Sequence, residues 1–89
     1  MRAVITVVGQ DKIGIIYEVS RVLAENEVNI LDISQTIMRD VFTMIMLVET
    51  ENKDLNFKSL ATTLDELGKG MGLSIRIQHE DLFQSMHRI

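Results

Sequence analysis

The chain has 89 residues, a formal net charge of −4, 46% hydrophobic and 25% charged residues, and no cysteine. This length accommodates one domain with a modest core and is too short for two. The acidic balance argues against nucleic-acid binding, and the lack of cysteine excludes disulfides and a cysteine nucleophile. The β pattern starts at Ala3, which leaves no room for a signal peptide, and no apolar run is long enough to span a bilayer. We therefore expect a cytoplasmic protein without membrane contact.

The first predicted unit is a strand, a glycine-bounded loop and a helix. Arg2 to Val8 is rich in β-branched residues and predicts a strand, and the following loop reaches Gly14. Glycines on either side of Asp11 permit a tight turn, and Asp11 can accept hydrogen bonds from the first amides of the helix. Such a junction suits a small polar or anionic ligand, although a plain connection between two elements fits the loop equally well.

A helix and a second strand follow. The segment Ile13 to Asn26 predicts a helix whose buried stripe consists of Ile15, Ile16, Val19, Val22 and Leu23. Asn29 to Met38 alternates between apolar and polar residues and predicts a strand with Leu31, Ile33 and Ile37 on its buried face. Gln35 interrupts this alternation, which indicates a bulge or a sheet edge.

The remaining elements are a hairpin strand, a helix and a last strand. The short connection Arg39-Asp40 predicts antiparallel neighbours, and Val41 to Glu49 is apolar enough for a central strand covered on both faces. The second helix begins at Phe57, with Asn56 as its N-cap and Gly68 just after its end, and Leu73 to His79 is the last strand. The glycine-rich run after this helix is predicted to be a helix stop and connector, because a phosphate-binding loop precedes a helix instead.

The predicted order β-α-β-β-α-β gives an α+β, ferredoxin-like sandwich, a four-stranded antiparallel sheet with two helices on one face. Right-handed crossovers place the first and third strands in the centre and the second at an edge. The face without helices is expected to carry a mixed apolar stripe of Val4, Thr6, Val8, Ile30, Asp32, Thr43, Ile45 and Leu47. This stripe predicts a homodimer, through that face or through the edge strand Asn29 to Met38, with a monomer as the alternative.

The topology, the loop GQDKIGII from Gly9 to Ile16, and Asn29-Ile30 at the start of the second strand resemble an ACT domain. The ending, with IQHEDLF and MHRI, is similar to that of small single-domain ACT proteins related to the glycine-cleavage repressor. The resemblance implies a non-catalytic regulatory module without a cofactor, which binds an amino acid at the interface of paired domains. Its signal would reach a partner enzyme or regulator through protein contact. Many family members have Arg-Pro where this chain has Lys12-Ile13.

Carried over by position, the resemblance implies a ligand site made by the first loop and by the second strand of the other chain. The implied residues are Asp11, Lys12, Ile13, Gly14, Asn29 and Ile30. An amino acid offers an ammonium group to Asp11 or to the Asn29 side-chain oxygen, and a carboxylate to helix-terminal amides. Asn29 fits equally well as a turn residue that ends the first helix.

Other functions fit the residues less well. An acylphosphatase of this topology needs an arginine in the first loop, where this chain has Asp11 and Lys12. An RNA binder of this topology needs aromatic residues on its open strands, but only 4% of the residues are aromatic and the net charge is acidic. The candidate metal ligands are His79, Glu80, Asp81 and His87. Their spacing matches no known metal-binding pattern, so no metal site is predicted. The alternative function is a protein interaction or dimerisation module without a small ligand.

The predicted division of the chain is an ACT-like domain at 1–79 and an amphipathic tail at 80–89. A short helix in the tail would gather on one side Leu82, Phe83, Met86 and Ile89. A helix of this length is unstable alone in water, so we expect it to dock on the open sheet face of its own chain or of a partner chain. The alternative is a disordered terminus.

Overall fold

A computed structural model describes residues 1–10 and 13–86. Its elements in chain order are β1 (Arg2–Gln10), α1 (Ile15–Glu25), β2 (Asn29–Met38), β3 (Val41–Glu49), α2 (Phe57–Met71), β4 (Ser74–His79) and α3 (Glu80–Met86). The strands form one antiparallel sheet in the order β2-β3-β1-β4. This confirms the predicted ferredoxin-like fold, with β2 at an edge and β1 and β3 in the centre.

The core lies between the sheet and the helices α1 and α2. Alternate residues of the two central strands face the helices and are buried, namely Ala3, Ile5 and Val7 of β1 and Phe42, Met44, Met46 and Val48 of β3. The helices contribute Ile15, Val19, Val22, Leu23, Leu60 and Leu64. Unbranched methionine side chains fill irregular gaps well, which suits the two that are fully buried in β3.

The first loop begins later and α1 is shorter than the sequence predicts. β1 continues through Gly9 to Gln10, so Gly9 is a strand residue paired with Phe42 and takes no part in a turn. A Cβ atom at position 9 would collide with Leu73 Cδ2, so the glycine lets the Leu73 side chain pack directly against β1. Helix α1 starts at Ile15, and Ile16, predicted to be buried, is exposed.

Helix α2 is longer than predicted, because Gly68 lies inside it. Asn56 is the N-cap, as predicted, and its Oδ1 accepts a hydrogen bond from the Ser59 amide at 3.0 Å. The helix ends at Met71, and Gly72 adopts the left-handed conformation with φ of 73°. The prediction that Gly68 ends the helix is therefore wrong: Gly68 is buried where α2 packs closely on β4.

Strand β2 departs most from its prediction. Its bulge lies at Leu31, between Ile30 and Asp32, and not at Gln35. The extra residue puts Ile30 opposite Val48, so Ile30 packs against the core and does not lie on the uncovered face as predicted. The expected buried face is also wrong, because no residue of β2 is buried, and the exposed ones include Leu31, Ile33 and Ile37. The two long helices bury residues of the other three strands but none of this edge strand.

We call the sheet side opposite α1 and α2 the open face. The register places on it Val4, Thr6 and Val8 of β1, Val41, Thr43, Ile45 and Leu47 of β3, Asp32, Ser34 and Thr36 of β2, and Arg76 of β4. Strand β3 is thus covered on one side only, contrary to the prediction, and Ile45 is 38% exposed. Val4 is only 5% exposed, which we attribute to α3, because this short helix contacts β1 and β4.

Candidate functional site

The implied ligand-site residues lie in two groups at opposite ends of the sheet. Gln10, which precedes the first loop, pairs with Val41 at one end of β3. Asn29 pairs with Glu49 at the other end of the same strand. With about 3.3 Å per residue, the intervening length of β3 separates the two ends by roughly 25 Å. A single chain therefore does not bring the two groups together.

The first group lies at the start of α1. Gly14 is the N-cap of the helix, with φ of 86°, and its carbonyl accepts a hydrogen bond from the Glu18 amide at 2.9 Å. A Cβ atom at Gly14 would meet nothing within 4 Å among the described residues. Ile13 is fully exposed. Asp11 and Lys12, which the resemblance also implies, lie outside the described residues.

The second group lies beside an acidic cavity. Asn29 is exposed and opens β2, whereas the neighbouring Ile30 packs against the core. A cavity of about 450 Å³ is lined by Glu27, Asn29, Glu49, Thr50, Glu51 and Asn52. Three of these side chains are carboxylates, and they create a negative potential that favours a cationic group. The alternative for Asn29, a residue that ends the helix, is wrong, because Asn26 is the C-cap of α1.

Thr50 holds in place the backbone segments that carry the second group. The sequence analysis does not single out this residue. It is the one buried polar residue of the described chain, at 4% exposure. Its hydroxyl donates to the Glu27 carbonyl and accepts from the Asn52 amide, both at 3.0 Å. Its backbone exchanges hydrogen bonds with Met1, whose amino group donates to the Thr50 carbonyl at 2.9 Å. A threonine just after an apolar strand gives little sequence signal, because threonine is common in strands and turns alike.

Charges on the outer side of α1 are paired with one another. Arg21 Nη2 lies 3.4 Å from a Glu18 carboxylate oxygen, and its Nη1 lies 3.2 Å from Glu25. These partners, Glu18 foremost, raise the pKa of Arg21 above its ordinary value. These pairs are exposed on the outer surface of α1, where they stabilise the helix. At the cavity, Glu49 pairs with Arg2 at 3.1 Å, whereas Glu27 and Glu51 form no ion pair with another described residue.

Comparison with known proteins identifies the family. A protein-family model with the description "ACT domain" matches residues 2–78 of the chain. The chain belongs to the ACT domain family. A UPF0237 protein of Clostridium acetobutylicum is 55% identical over 89 residues, which cover all of both chains. An ACT domain protein from Streptococcus pneumoniae has a TM-score of 0.82 and 40% identity over 94% of each chain. A candidate glycine cleavage system transcriptional repressor has a TM-score of 0.73 and 32% identity, over 86% of this chain and 44% of that one.

ACT domains are regulatory, ligand-binding modules that commonly bind amino acids and dimerise. Within residues 1–10 and 13–86, no His, Asp and Glu side chains are grouped so as to hold a metal ion. None of the helices in the described part of the chain has the length and hydropathy needed to cross a membrane.

Proposed function

We propose that this ACT domain is a non-catalytic module that binds an amino acid at a homodimer interface and signals through protein contact. The register of the sheet supports the proposal, because Gln10, at the end of β1 from which the Gly14 loop continues, and Asn29, at the start of β2, lie at opposite ends of one sheet. Two copies whose β2 edges pair antiparallel about a two-fold axis would bring Asn29 of each chain towards the Gly14 loop of the other. Each dimer then contains two equivalent sites.

The edge of the sheet supports this mode of pairing. Strand β2 is hydrogen-bonded to β3 on one side, and its other side pairs with no strand in the described chain. Its exposed apolar side chains include Leu31, Ile33 and Ile37. An unpaired strand edge readily accepts a second strand, and apolar side chains beside it add buried surface to the contact.

The electrostatics at the two ends of the sheet favour the binding of a zwitterion, a molecule with one positive and one negative group. The cavity beside Asn29 has carboxylates from Glu27, Glu49 and Glu51 and would attract an ammonium group. The N-cap of α1 is Gly14, which has no side chain to cap the first amides of the helix, and amides at a helix start favour a carboxylate. An α-amino acid carries both groups and would bridge them across the dimer. Asp11, whose charge also suits an ammonium group, belongs to the proposal on sequence grounds alone.

The match to the family covers residues 2–78, so the proposed sensor occupies most of the chain. The output is then a contact with a partner enzyme or regulator, whose state changes with occupancy of the dimer site. The proposal involves no cofactor and no catalytic residue, and it places the protein in the cytoplasm.

A thermal-shift screen of the common amino acids tests the proposal. A ligand that binds only the folded state at a hundredfold excess over its Kd stabilises it by about 2.7 kcal/mol. We expect one amino acid to raise the melting temperature, and its decarboxylated and deaminated analogues to fail. Gly14→Val should abolish the shift, whereas the matched change Gly70→Val on α2 should retain it. If no amino acid raises the melting temperature, the alternative, an interaction module without a ligand, is correct.

A further inference from the structure

Arg2 lies between the acidic cavity and the tail helix. It is opposite Glu49 in the sheet, and its Nε donates a hydrogen bond to Glu49 Oε2 at 3.1 Å. Its Nη1 lies 4.0 Å from Oε2 of Glu80, the first residue of α3. Because Glu49 also lines the cavity beside Asn29, one guanidinium group connects a wall of the proposed ligand site to the start of the tail.

Neither contact of Arg2 is strong. The side chains of Arg2, Glu49 and Glu80 are 52%, 37% and 25% exposed, and exposed ion pairs contribute little to stability. The contact with Glu80 is longer than a hydrogen bond, so the two groups can approach further. A second cavity of about 370 Å³ gives the guanidinium room to move, and its lining consists of Met1, Arg2, His79, Glu80 and Asp81. Arg2 can therefore exchange one carboxylate for the other at small cost.

The tail helix depends on contacts of this kind. Helix α3 has seven residues, which are too few for a stable helix alone in water. It contacts β1 and β4, and its Phe83 is half-buried, whereas Leu82 is 51% exposed. Apolar burial therefore secures the docking of α3 only in part, and a closer ion pair at Glu80 would favour the docked state.

We propose that Arg2 transmits occupancy of the ligand site to the tail by exchange between Glu49 and Glu80. This inference rests on the proposed function, in which the acidic cavity receives the ammonium group of an amino acid. A bound ammonium group competes with Arg2 for the Glu49 carboxylate and repels the guanidinium group, since both are positive. Arg2 then moves towards Glu80 and holds α3 on the sheet more firmly. The docking of α3 thus reports the ligand to a partner protein.

Thermodynamic linkage fixes the direction and the size of this coupling. If a bound amino acid favours docked α3, docked α3 favours amino-acid binding by the same factor. The free energy of an exposed ion pair limits that factor to about fivefold. Glu80→Gln, which removes the second partner of Arg2, should therefore weaken amino-acid binding by up to about fivefold.

Cysteine labelling at position 4 tests the exchange without any ligand. The chain has no cysteine, so Val4→Cys introduces a single thiol at a buried position on the open face. Its reaction with a maleimide reports how often α3 opens. Glu49→Gln removes the charge that holds Arg2, as a bound ammonium group would, and should slow labelling by about two- to fivefold. Glu80→Gln should instead speed labelling by a similar factor.

Three controls separate the exchange from general effects on the fold. Val7→Cys places the thiol on the core side of the same strand, and Glu49→Gln should change its labelling rate much less. Glu25→Gln breaks an exposed ion pair of similar length on α1 and should leave labelling at position 4 unchanged. In the Arg2→Gln background, Glu49→Gln should have no effect at position 4.

The same measurements can overturn the inference. It is wrong if Glu49→Gln fails to slow labelling at position 4, or slows it equally in the Arg2→Gln background. It is also wrong if labelling at position 7 changes as much as labelling at position 4, because Glu49→Gln then acts on the whole fold.

Addition of each common amino acid in turn to Val4→Cys separates this inference from the proposed function. The amino acid that raises the melting temperature should also slow labelling at position 4, and it should not do so in the Arg2→Gln background. An amino acid that raises the melting temperature without slowing labelling contradicts the inference and leaves the proposed function intact. If no amino acid raises the melting temperature, the proposed function fails, and the Glu49→Gln result alone decides whether Arg2 links Glu49 to the tail.

Discussion

Gly68 and Leu73 lie so close together that α2 can pack on β4 only because residue 68 has no side chain. The Leu73 amide donates to the Gly68 carbonyl at 2.8 Å. A Cβ atom built on Gly68 would lie 2.8 Å from the Leu73 carbonyl oxygen and 3.0 Å from the Ile75 side chain.

Gly68→Ala should lower the free energy of unfolding by about 1–3 kcal/mol, because the added methyl group must push backbone atoms apart. Gly70→Ala is the matched control, since a Cβ at this helical position meets nothing within 4 Å. It should stabilise the protein by about 0.5–1 kcal/mol through helix propensity. Urea denaturation of both variants measures the difference, and equal stabilities would contradict the close packing described here.

Substitution of Gly14 is predicted to lower the stability of the protein because of the backbone conformation at this position. Its φ of 86° is costly for a residue with a side chain, although nothing surrounds the position. Gly14→Ala should cost about 1–2 kcal/mol of stability, and Gly14→Asn should cost less, because asparagine tolerates the left-handed region. Thermal denaturation of the two variants checks the order. A more stable alanine variant would show that the loop does not hold this φ.

Thr50 is predicted to hold together the end of the sheet that carries Asn29. Thr50→Val keeps the shape but removes the hydroxyl from the Glu27 carbonyl and the Asn52 amide. It should therefore lower stability by about 1–3 kcal/mol. Thr50→Ser retains the hydroxyl and should lose less. If the valine variant is as stable as the serine variant, the two hydrogen bonds contribute nothing measurable to the free energy of unfolding.

The tail at 80–89 is predicted from the sequence to dock on the open sheet face, and the structure allows a more specific prediction. Residues 80–86 form the helix α3, which contacts β1, and Phe83 of this helix is half-buried. Val4 of β1 is buried. Truncation after His79 should re-expose Val4, lower stability and alter self-association. Phe83→Ala in the full chain should cost about 1 kcal/mol, less than the value for a fully buried phenylalanine. A truncated chain that melts and assembles like the intact one would leave the tail a role only in contacts with other proteins.

Most of the fold is predictable because it depends on periodic patterns. The strand order follows from the handedness of the crossovers, and the buried residues of β1 and α1 mostly follow from periods of two and 3.6. The bulge at Leu31 is not predictable in this way, because one extra residue breaks the alternation between the two sides of it while the local pattern stays strand-like. Asp32 and the residues after it keep their predicted faces, whereas Ile30, before the bulge, faces the core.

The errors at glycines have a related cause. Gly9 and Gly68 read as turn or stop signals, yet each allows close contact with Leu73, a residue distant in sequence from Gly9. Local sequence does not reveal such contacts. The candidate site is also only partly predictable: Gly14 and Asn29 follow from the resemblance, but the acidic cavity depends on Glu49 and Thr50 meeting the start of β2 in three dimensions.

The central claim is that each ligand site combines the first loop of one chain with the start of β2 of the other. Mixing two inactive variants, Gly14→Val and Asn29→Ala, tests it most directly. In a mixed dimer, one site carries both substitutions and the other carries neither. Random mixing by refolding should therefore restore about a quarter of the wild-type binding capacity for the amino acid found in the screen.

Isothermal titration calorimetry of the refolded mixture gives the number of sites, with each variant refolded alone as the control. The account predicts that neither variant binds by itself and that the mixture binds with wild-type affinity at the reduced capacity. A mixture with no more binding than the separate variants would show that Gly14 and Asn29 do not complete a site across two chains, and would contradict the account.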